Sequence, residues 1–280
     1  MDKKNLLVSF SGGETSAFMA QWLLKHKQDE FNMVFVFANT GEENEETLEF
    51  VEKCNKHFSL NVHWVEAVVH HGQRKGTTHK VVDFKTASRN GEPFKEVISK
   101  YGIPNQMFLH CTRETKLNPI TSFCKNYFDG QEYYTAVGIR IDESDRISAK
   151  HKENKIIYPL ISRDFIPMNK EKINFWWSQQ NFRLNLKGYQ GNCKTCWKKS
   201  DHKLFTIAKE TPEFFQFNKE MEKKYSKGKY FFFRNNRSTE DILEEAKKFK
   251  GVVKDDSQNY NWDIDIFENE SCDIWSSCGD

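Results

Sequence analysis

Ser11-Gly12-Gly13-Glu14-Thr15-Ser16 sets two glycines among three hydroxyl side chains, between a short apolar run and an amphipathic segment. Glycine lets the main chain turn sharply and lets a ligand approach it closely. Free N–H groups at a helix start hold phosphate, and the hydroxyls of Ser11, Thr15 and Ser16 add donors. The Gly-Lys-Ser/Thr ending of a Walker loop is absent. An ordinary strand-to-helix turn is the alternative, and the serine-rich context favours phosphate binding over it. A second candidate is Gly138-Ile139-Arg140-Ile141-Asp142-Glu143-Ser144-Asp145-Arg146. The guanidinium groups of Arg140 and Arg146 suit bidentate contact with phosphate or sulfate, or else pair with the acids beside them. A third is Cys193-Lys194-Thr195-Cys196, a thiol pair spaced to chelate a metal or to work as a redox group.

The elements that must carry these groups follow from hydrophobic period. Residues 6–10 form a short apolar strand, and 15–25 show helical spacing with Phe18, Met19, Trp22 and Leu23 near one face. Strands are expected at 33–38, 60–69, 133–138 and 155–161, and helices at 45–58, 117–128 and 171–181. Strands alternating with helices predict an α/β fold with a parallel sheet and crossover helices. Residues 70–106 break the rhythm with three histidines and a turn at Asn90-Gly91-Glu92-Pro93. They read as an insertion over the site with a short helix at 94–100, or as a solvated excursion. Beyond 200 the composition changes to charged, Phe-rich helices at 212–225 and 238–249, with Ser238 as N-cap, and an acidic tail from 252. Domains are therefore expected at 1–200 and 201–280.

The chain has 280 residues and a formal net charge of +2, so global charge does not announce a nucleic-acid partner. Hydrophobic residues make up only 38%, but 24 phenylalanines supply large buried area. No apolar run approaches the roughly 20 residues of a membrane span. The charged N-terminus lacks the features of a secretory signal. A cytoplasmic location without membrane association is expected, where thiols stay reduced. The seven cysteines then read as metal ligands, redox groups or buried apolar residues rather than a disulfide framework.

SGGETS resembles the SGG-x-(D/T)-S PP-loop of ATP pyrophosphatases and their phosphoadenosine phosphosulfate (PAPS) reductase relatives. Phe37-Ala38-Asn39-Thr40-Gly41-Glu42 resembles the second-strand loop of that family, which lies near the nucleotide there. Cys111-Thr112-Arg113-Glu114-Thr115-Lys116-Leu117-Asn118-Pro119 resembles its Cys-Cys-x-x-x-Lys-x-x-Pro stretch, with Thr112 in place of the second cysteine. The Gly138–Arg146 segment resembles a Gly-x-Arg-x-x-Glu/Gln-Ser-x-x-Arg loop, and Gly188-Tyr189 leading to Cys193 and Cys196 resembles Gly-Tyr-x-x-x-Gly-Cys-x-x-Cys. The resemblance spans residues 5–200. It implies a Rossmann-like (HUP-type) parallel sheet with flanking helices and a small, mostly helical C-terminal extension.

For the site, the resemblance implies an adenine nucleotide, ATP or APS/PAPS, with Mg accompanying ATP. Ser11, Gly12, Gly13, Thr15, Ser16, Asn39, Thr40, Gly41, Gly138, Arg140, Glu143, Ser144 and Arg146 would hold it. Lys116, Arg140 and Cys111 would be catalytic. Cys111, Cys193 and Cys196 would hold a 4Fe–4S cluster, with a fourth ligand from His110, Cys124 or the tail, or an open iron. Zinc on three cysteines with His110 or His202 is the rival, and a metal-free pair the remaining alternative. Three functions are compatible. One is ATP-dependent sulfur transfer to an acceptor, a nucleic acid or a small molecule, a pattern shared with DNA-phosphorothioation sulfurtransferases. Another is sulfite release from APS or PAPS with a thioredoxin-like reductant. The third is nucleotide binding without turnover. Cys278-Gly279 in the tail has a faint likeness to the family's C-terminal nucleophile.

Overall fold

The computed structural model describes residues 2–259. Cys272 and Cys278 lie outside them. A six-stranded sheet runs in the order β4-β3-β2-β1-β5-β6. Its strands are β1 (Lys4–Ser9), β2 (Phe31–Asn39), β3 (His63–Val69), β4 (Thr77–Val82), β5 (Tyr134–Val137) and β6 (Ile156–Ile157). All neighbours are parallel except β3 and β4. The fold is thus the expected Rossmann-like α/β sheet.

The period-2 alternation of strands decides which side chain meets which layer. Leu6, Val8, Phe35 and Phe37 face a core shared with α1 (Glu14–Lys27), α2 (Glu45–Phe58) and α6 (Lys170–Ser178). Leu7, Val34, Val36 and Val65 face the opposite core, with Ile120, Phe123 and Cys124 of α5 (Asn118–Tyr127). Burial on both faces explains why β2 reads as a nearly continuous apolar run.

β4 departs from expectation, since residues 70–106 carry an antiparallel edge strand before α3 (Glu92–Tyr101). Thr77-Thr78-His79-Lys80 is polar enough for a half-exposed edge, and for that reason hides a strand. The strand expected at 155–161 shortens to two residues, because the chain turns at Tyr158, whose carbonyl accepts from Ile161 N. Pro159 there has no N–H for a ladder.

After 200 come α7 (Asp201–Glu210), absent from the sequence expectation, α8 (Gln216–Tyr225) and α9 (Thr239–Lys248). Ser238 caps α9 in a reciprocal box with Asp241. A third core joins Leu204, Phe215, Phe232 and Ile242 to Ile98, Ile103 and Trp197.

Candidate active site

Chain order reverses on the two sides of β1, which lies between β2 and β5. Such a switch point opens a crevice beyond the carboxyl ends of the strands. The loops leaving β1 and β5 enter it. They line a cavity of about 740 Å³ together with residues 187–203.

The β1 loop is built as a cradle. Gly12 has φ +83°, and a Cβ there would lie 2.7 Å from Thr47 Cγ2 and 3.0 Å from the Phe37 ring. Gly13 is the N-cap of α1 and supplies no side-chain cap, so the first helical N–H groups stay open to a ligand. Ser16 Oγ donates to Gly13 O (2.9 Å) and accepts from Ser11 N (3.2 Å), which knits the loop. Ser11, Gly13, Thr15 and Ser16 all line the cavity. Glu14 lines it too, but its carboxylate is tied to the protein. It is clamped by the fork of Arg183 (3.0 Å to each carboxylate oxygen), which also donates to Ser257 O (2.8 Å). Burial raises the Glu14 pKa against the pull of Arg183.

The β5 loop meets this cradle from the other side. A Cβ on Gly138 would meet Ser16 Cα at 3.3 Å, so glycine permits the close approach. Arg140 reaches across and donates from Nη1 to Thr15 Oγ1 (3.1 Å). Its other edge forks onto Asp142, through Nε to Oδ1 (3.0 Å) and Nη2 to Oδ2 (2.8 Å). Burial opposes the Asp142 charge, but Arg140 outweighs it and holds the carboxyl below its ordinary range. Arg146 pairs with Glu143. Arg140, Glu143 and Arg146 line the cavity, whereas Ser144 is exposed on the 3-10 turn and does not.

Asn39, Thr40 and Gly41 are placed differently. Asn39 donates to Glu66 Oε1 (2.6 Å) and Ser88 O (2.8 Å), and Thr40 Oγ1 donates to Glu43 Oε2 (2.8 Å). All three are buried and none lines the cavity. This loop instead anchors the cysteine segment: Lys194 N donates to Glu42 O (3.0 Å) and Asn44 Nδ2 to Gly191 O (2.9 Å).

Cys193 and Cys196 line the same cavity as the β1 loop. Lys116 comes to Cys193 from a π-helical turn, Arg113–Leu117, a rare geometry often found at functional sites. Its Nζ lies 3.9 Å from Cys193 Sγ and 3.5 Å from Glu43 Oε1. Glu43 Oε1 is itself 3.8 Å from Cys193 Sγ. Burial works against the Lys116 charge, but its anionic surroundings more than offset it and raise the pKa. Burial pushes the Cys193 thiol up, by more than Lys116 beside it pulls it down. Lys199, which donates to Cys193 O, is pulled down by burial.

Cys111 does not join this pair. It sits in α4 (His110–Thr112), with Sγ 3.9 Å from Thr112 Oγ1, and does not line the cavity. The space beside Cys193 is taken by Lys116 and Glu43 instead. His110 bonds Gly102 O (3.0 Å), Cys124 is buried in the α5 core and His202 stacks on Phe249. Burial pushes the Cys124 thiol up to about 12. Among the described residues no three His, Cys, Asp or Glu side chains are grouped to hold a metal ion. The expected three-cysteine metal set is therefore not assembled, and neither zinc rival is.

Asn192, Glu43, Lys198, Lys199 and Lys203 are site neighbours that sequence reasoning missed. Adjacency to Cys193 could have flagged Asn192, whose Nδ2 donates to Ser11 O (2.5 Å).

A glycine loop at a switch point, met by an arginine from the next loop, is the arrangement of a PP-loop-type α/β nucleotide-binding protein. Residues 5–86 match the phosphoadenosine phosphosulfate reductase domain. An uncharacterized nin region protein of Escherichia phage lambda is 36% identical over 208 residues, 73% of this chain and 69% of that protein. Two uncharacterized proteins of Methanocaldococcus jannaschii are 30% and 28% identical, over 56% and 55% of this chain but only 27% and 32% of theirs. The chain belongs to the PAPS reductase domain family. No described helix is long and apolar enough to cross a membrane.

Proposed function

We propose that the chain is an ATP-dependent sulfur-transfer enzyme that adenylates an acceptor oxygen and replaces it with sulfur. The observation that carries this reading is that the phosphate cradle and the Cys193–Cys196 pair open on one cavity. The open N–H groups at the start of α1 would hold the phosphates. Arg140, steadied on Thr15, would neutralise charge as pyrophosphate leaves the α-phosphorus under attack by the acceptor oxygen. A persulfide donor would load Cys193: the Cys193 thiolate attacks the donor's outer sulfur, the donor's S–S bond breaks, its thiolate leaves and Cys193 carries the persulfide. Its terminal sulfur would attack the activated carbon, and AMP would depart. Cys196 would then open the mixed disulfide, releasing the thiolated product and leaving a Cys193–Cys196 disulfide for an external dithiol, such as a thioredoxin-like partner, to reduce. Lys116 would favour the Cys193 thiolate. No step is routed through an iron–sulfur cluster, because only two of its three expected cysteines come together.

The family match favours a second reading on the same thiols. Cys193 would attack the sulfate sulfur of APS or PAPS and expel the nucleotide. Cys196 would then displace sulfite and close the disulfide. One experiment separates the readings: anaerobic incubation with ATP, APS and PAPS under a dithiol reductant, resolving AMP, pyrophosphate, adenosine 3′,5′-bisphosphate and sulfite. AMP with pyrophosphate from ATP, dependent on acceptor, supports sulfur transfer. Sulfite from APS or PAPS replaces it with the reductase. Either activity surviving intact in Cys193→Ser removes the thiol from the mechanism, and tight binding without product in any arm leaves nucleotide binding alone.

A further inference from the structure

The cavity has a basic rim, part of which has no carboxylate partner among the described residues. Lys170 and Lys187 pair with Asp256 and Glu210. Lys198, Lys199, Lys203 and Arg234 differ: among the described residues none has a carboxylate within the 4.0 Å of an ion pair. Arg234 Nη2 donates to Lys198 O (2.9 Å), and Lys198 Nζ to Thr112 Oγ1 (3.3 Å). These links carry the basic strip from the cavity mouth toward residues 105–112.

Beside that strip lies an exposed apolar group. Met107 is 78% exposed, Leu109 59%, Tyr230 46% and Phe108 42%. The Phe108 and Tyr230 rings meet edge to face at 5.4 Å. They are held in place: Asn105 Nδ2 donates to Phe231 O (3.0 Å), and its Oδ1 accepts from Met107 N (2.9 Å). Two elements distant in sequence are thus fastened together to present aromatic faces to solvent. Lys227 and Lys229 flank Tyr230, exposed and without a carboxylate partner among the described residues.

Unpaired cations along a groove bind a phosphodiester backbone, and exposed aromatics beside them stack on bases. A duplex hides its base faces, so the aromatics would gain nothing from it. We propose that this surface binds single-stranded nucleic acid, with the backbone along Lys198, Lys203 and Arg234 and a base on Tyr230, and leads one nucleotide into the cavity. The assignment of this strand as the sulfur acceptor rests on the sulfur-transfer reading above. The surface itself does not.

The test is fluorescence anisotropy of labelled single-stranded DNA and RNA of about 16 nucleotides, and of the matching DNA duplex, over a salt series. Nucleotide affinity is measured in parallel with ATP. Single strands bind more tightly than the duplex, and the DNA and RNA arms show which sugar is preferred. Tyr230→Ala and Phe108→Ala weaken binding about tenfold with the salt slope kept. Lys198→Ala with Arg234→Ala lowers the log–log salt slope by roughly 1.4, about 0.7 for each phosphate contact. ATP affinity in Tyr230→Ala is unchanged. Duplex bound as tightly as single strand, or Tyr230→Ala binding like the native chain, overturns the proposal. So does retention on phosphatidylserine vesicles without oligonucleotide binding. Oligonucleotide binding without ATP binding would sink the enzyme reading and keep this one, and ATP binding alone would do the reverse.

Discussion

Gly12→Ala tests the phosphate cradle most directly, because the two costs of a Cβ there can be separated. The backbone at Gly12 has φ +83°, a region that costs an L-residue about 1–2 kcal/mol. The new methyl would also stand 2.7 Å from Thr47 Cγ2, 3.0 Å from Phe37 and 3.4 Å from Val51. Forcing a methyl into such a packed site costs typically about 1–3 kcal/mol. The substitution should therefore destabilise by about 2–5 kcal/mol in all. Gly130→Ala is the control. Its φ is +75° with no heavy atom within 4 Å of the added Cβ, so only the backbone cost of about 1–2 kcal/mol applies. Urea denaturation of both variants isolates the packing part. Thr47→Ser removes the nearest methyl, so a double-mutant cycle should return part of the difference. Nucleotide affinity should fall at least about tenfold in Gly12→Ala, as a displaced cradle misaligns its N–H groups, and should hold in Gly130→Ala. Equal destabilisation in the two alanine variants, or no recovery with Thr47→Ser, would refute the packing argument.

Stability should fall as pH rises across the neutral range. Burial pushes the Glu42 carboxyl up to about 8 from an ordinary 4.5, with Lys194 opposing and Glu43 and Glu92 adding to the shift. Between those values the folded state binds the extra proton, so unfolding becomes easier by as much as about 1.4 kcal/mol per pH unit. Glu42→Gln should flatten the slope, and an unchanged slope in urea titrations at pH 5 through 8 would falsify the assignment. Arg183→Ala should leave Glu14 buried without its fork. It should cost about 2 kcal/mol, the cost of leaving a buried acceptor unsatisfied, and raise the nucleotide Kd, and Arg183→Lys should not restore the affinity, since a point charge cannot span both oxygens. Isothermal titration with ATP on the three proteins checks this, and a fully competent lysine variant would contradict it.

Local signals carried the fold. The β1 loop was legible because strand, glycines and helix are consecutive, so the sequence itself places uncapped N–H groups at a helix start. The box at Ser238 and Asp241 was legible for the same reason. β4 was not, because an edge strand tolerates Lys and His on its open side, and alternation is then lost among polar residues. α7 was missed although Leu204, Phe205 and Ala208 are buried at helical spacing, because charged residues such as Lys203 and Lys209 stand among them and blur the apolar face.

The site was legible only where one segment acts alone. Asn39-Thr40-Gly41 occupies the expected edge of the sheet, but whether such a loop meets ligand or protein depends on what covers it. Here Ser88 and Gly91 pack on Asn39 and Gly41, and residues 191–194 close over the turn beyond, held by Glu42 O and Asn44 Nδ2. That contact bridges nearly 150 residues, and the residue types that make it are ordinary polar ones. The cysteine set failed for a related reason. Spacing brings Cys193 and Cys196 together by themselves, but Cys111 needs the helix before Lys116 to turn its way. The π-turn sends Lys116, and with it the partner of Glu43, to Cys193 instead. A thiol beside a lysine and a carboxylate suits proton and sulfur chemistry, and that juxtaposition, more than the cysteine count, supports the reaction proposed for the cavity that the β1 loop and the cysteine pair share.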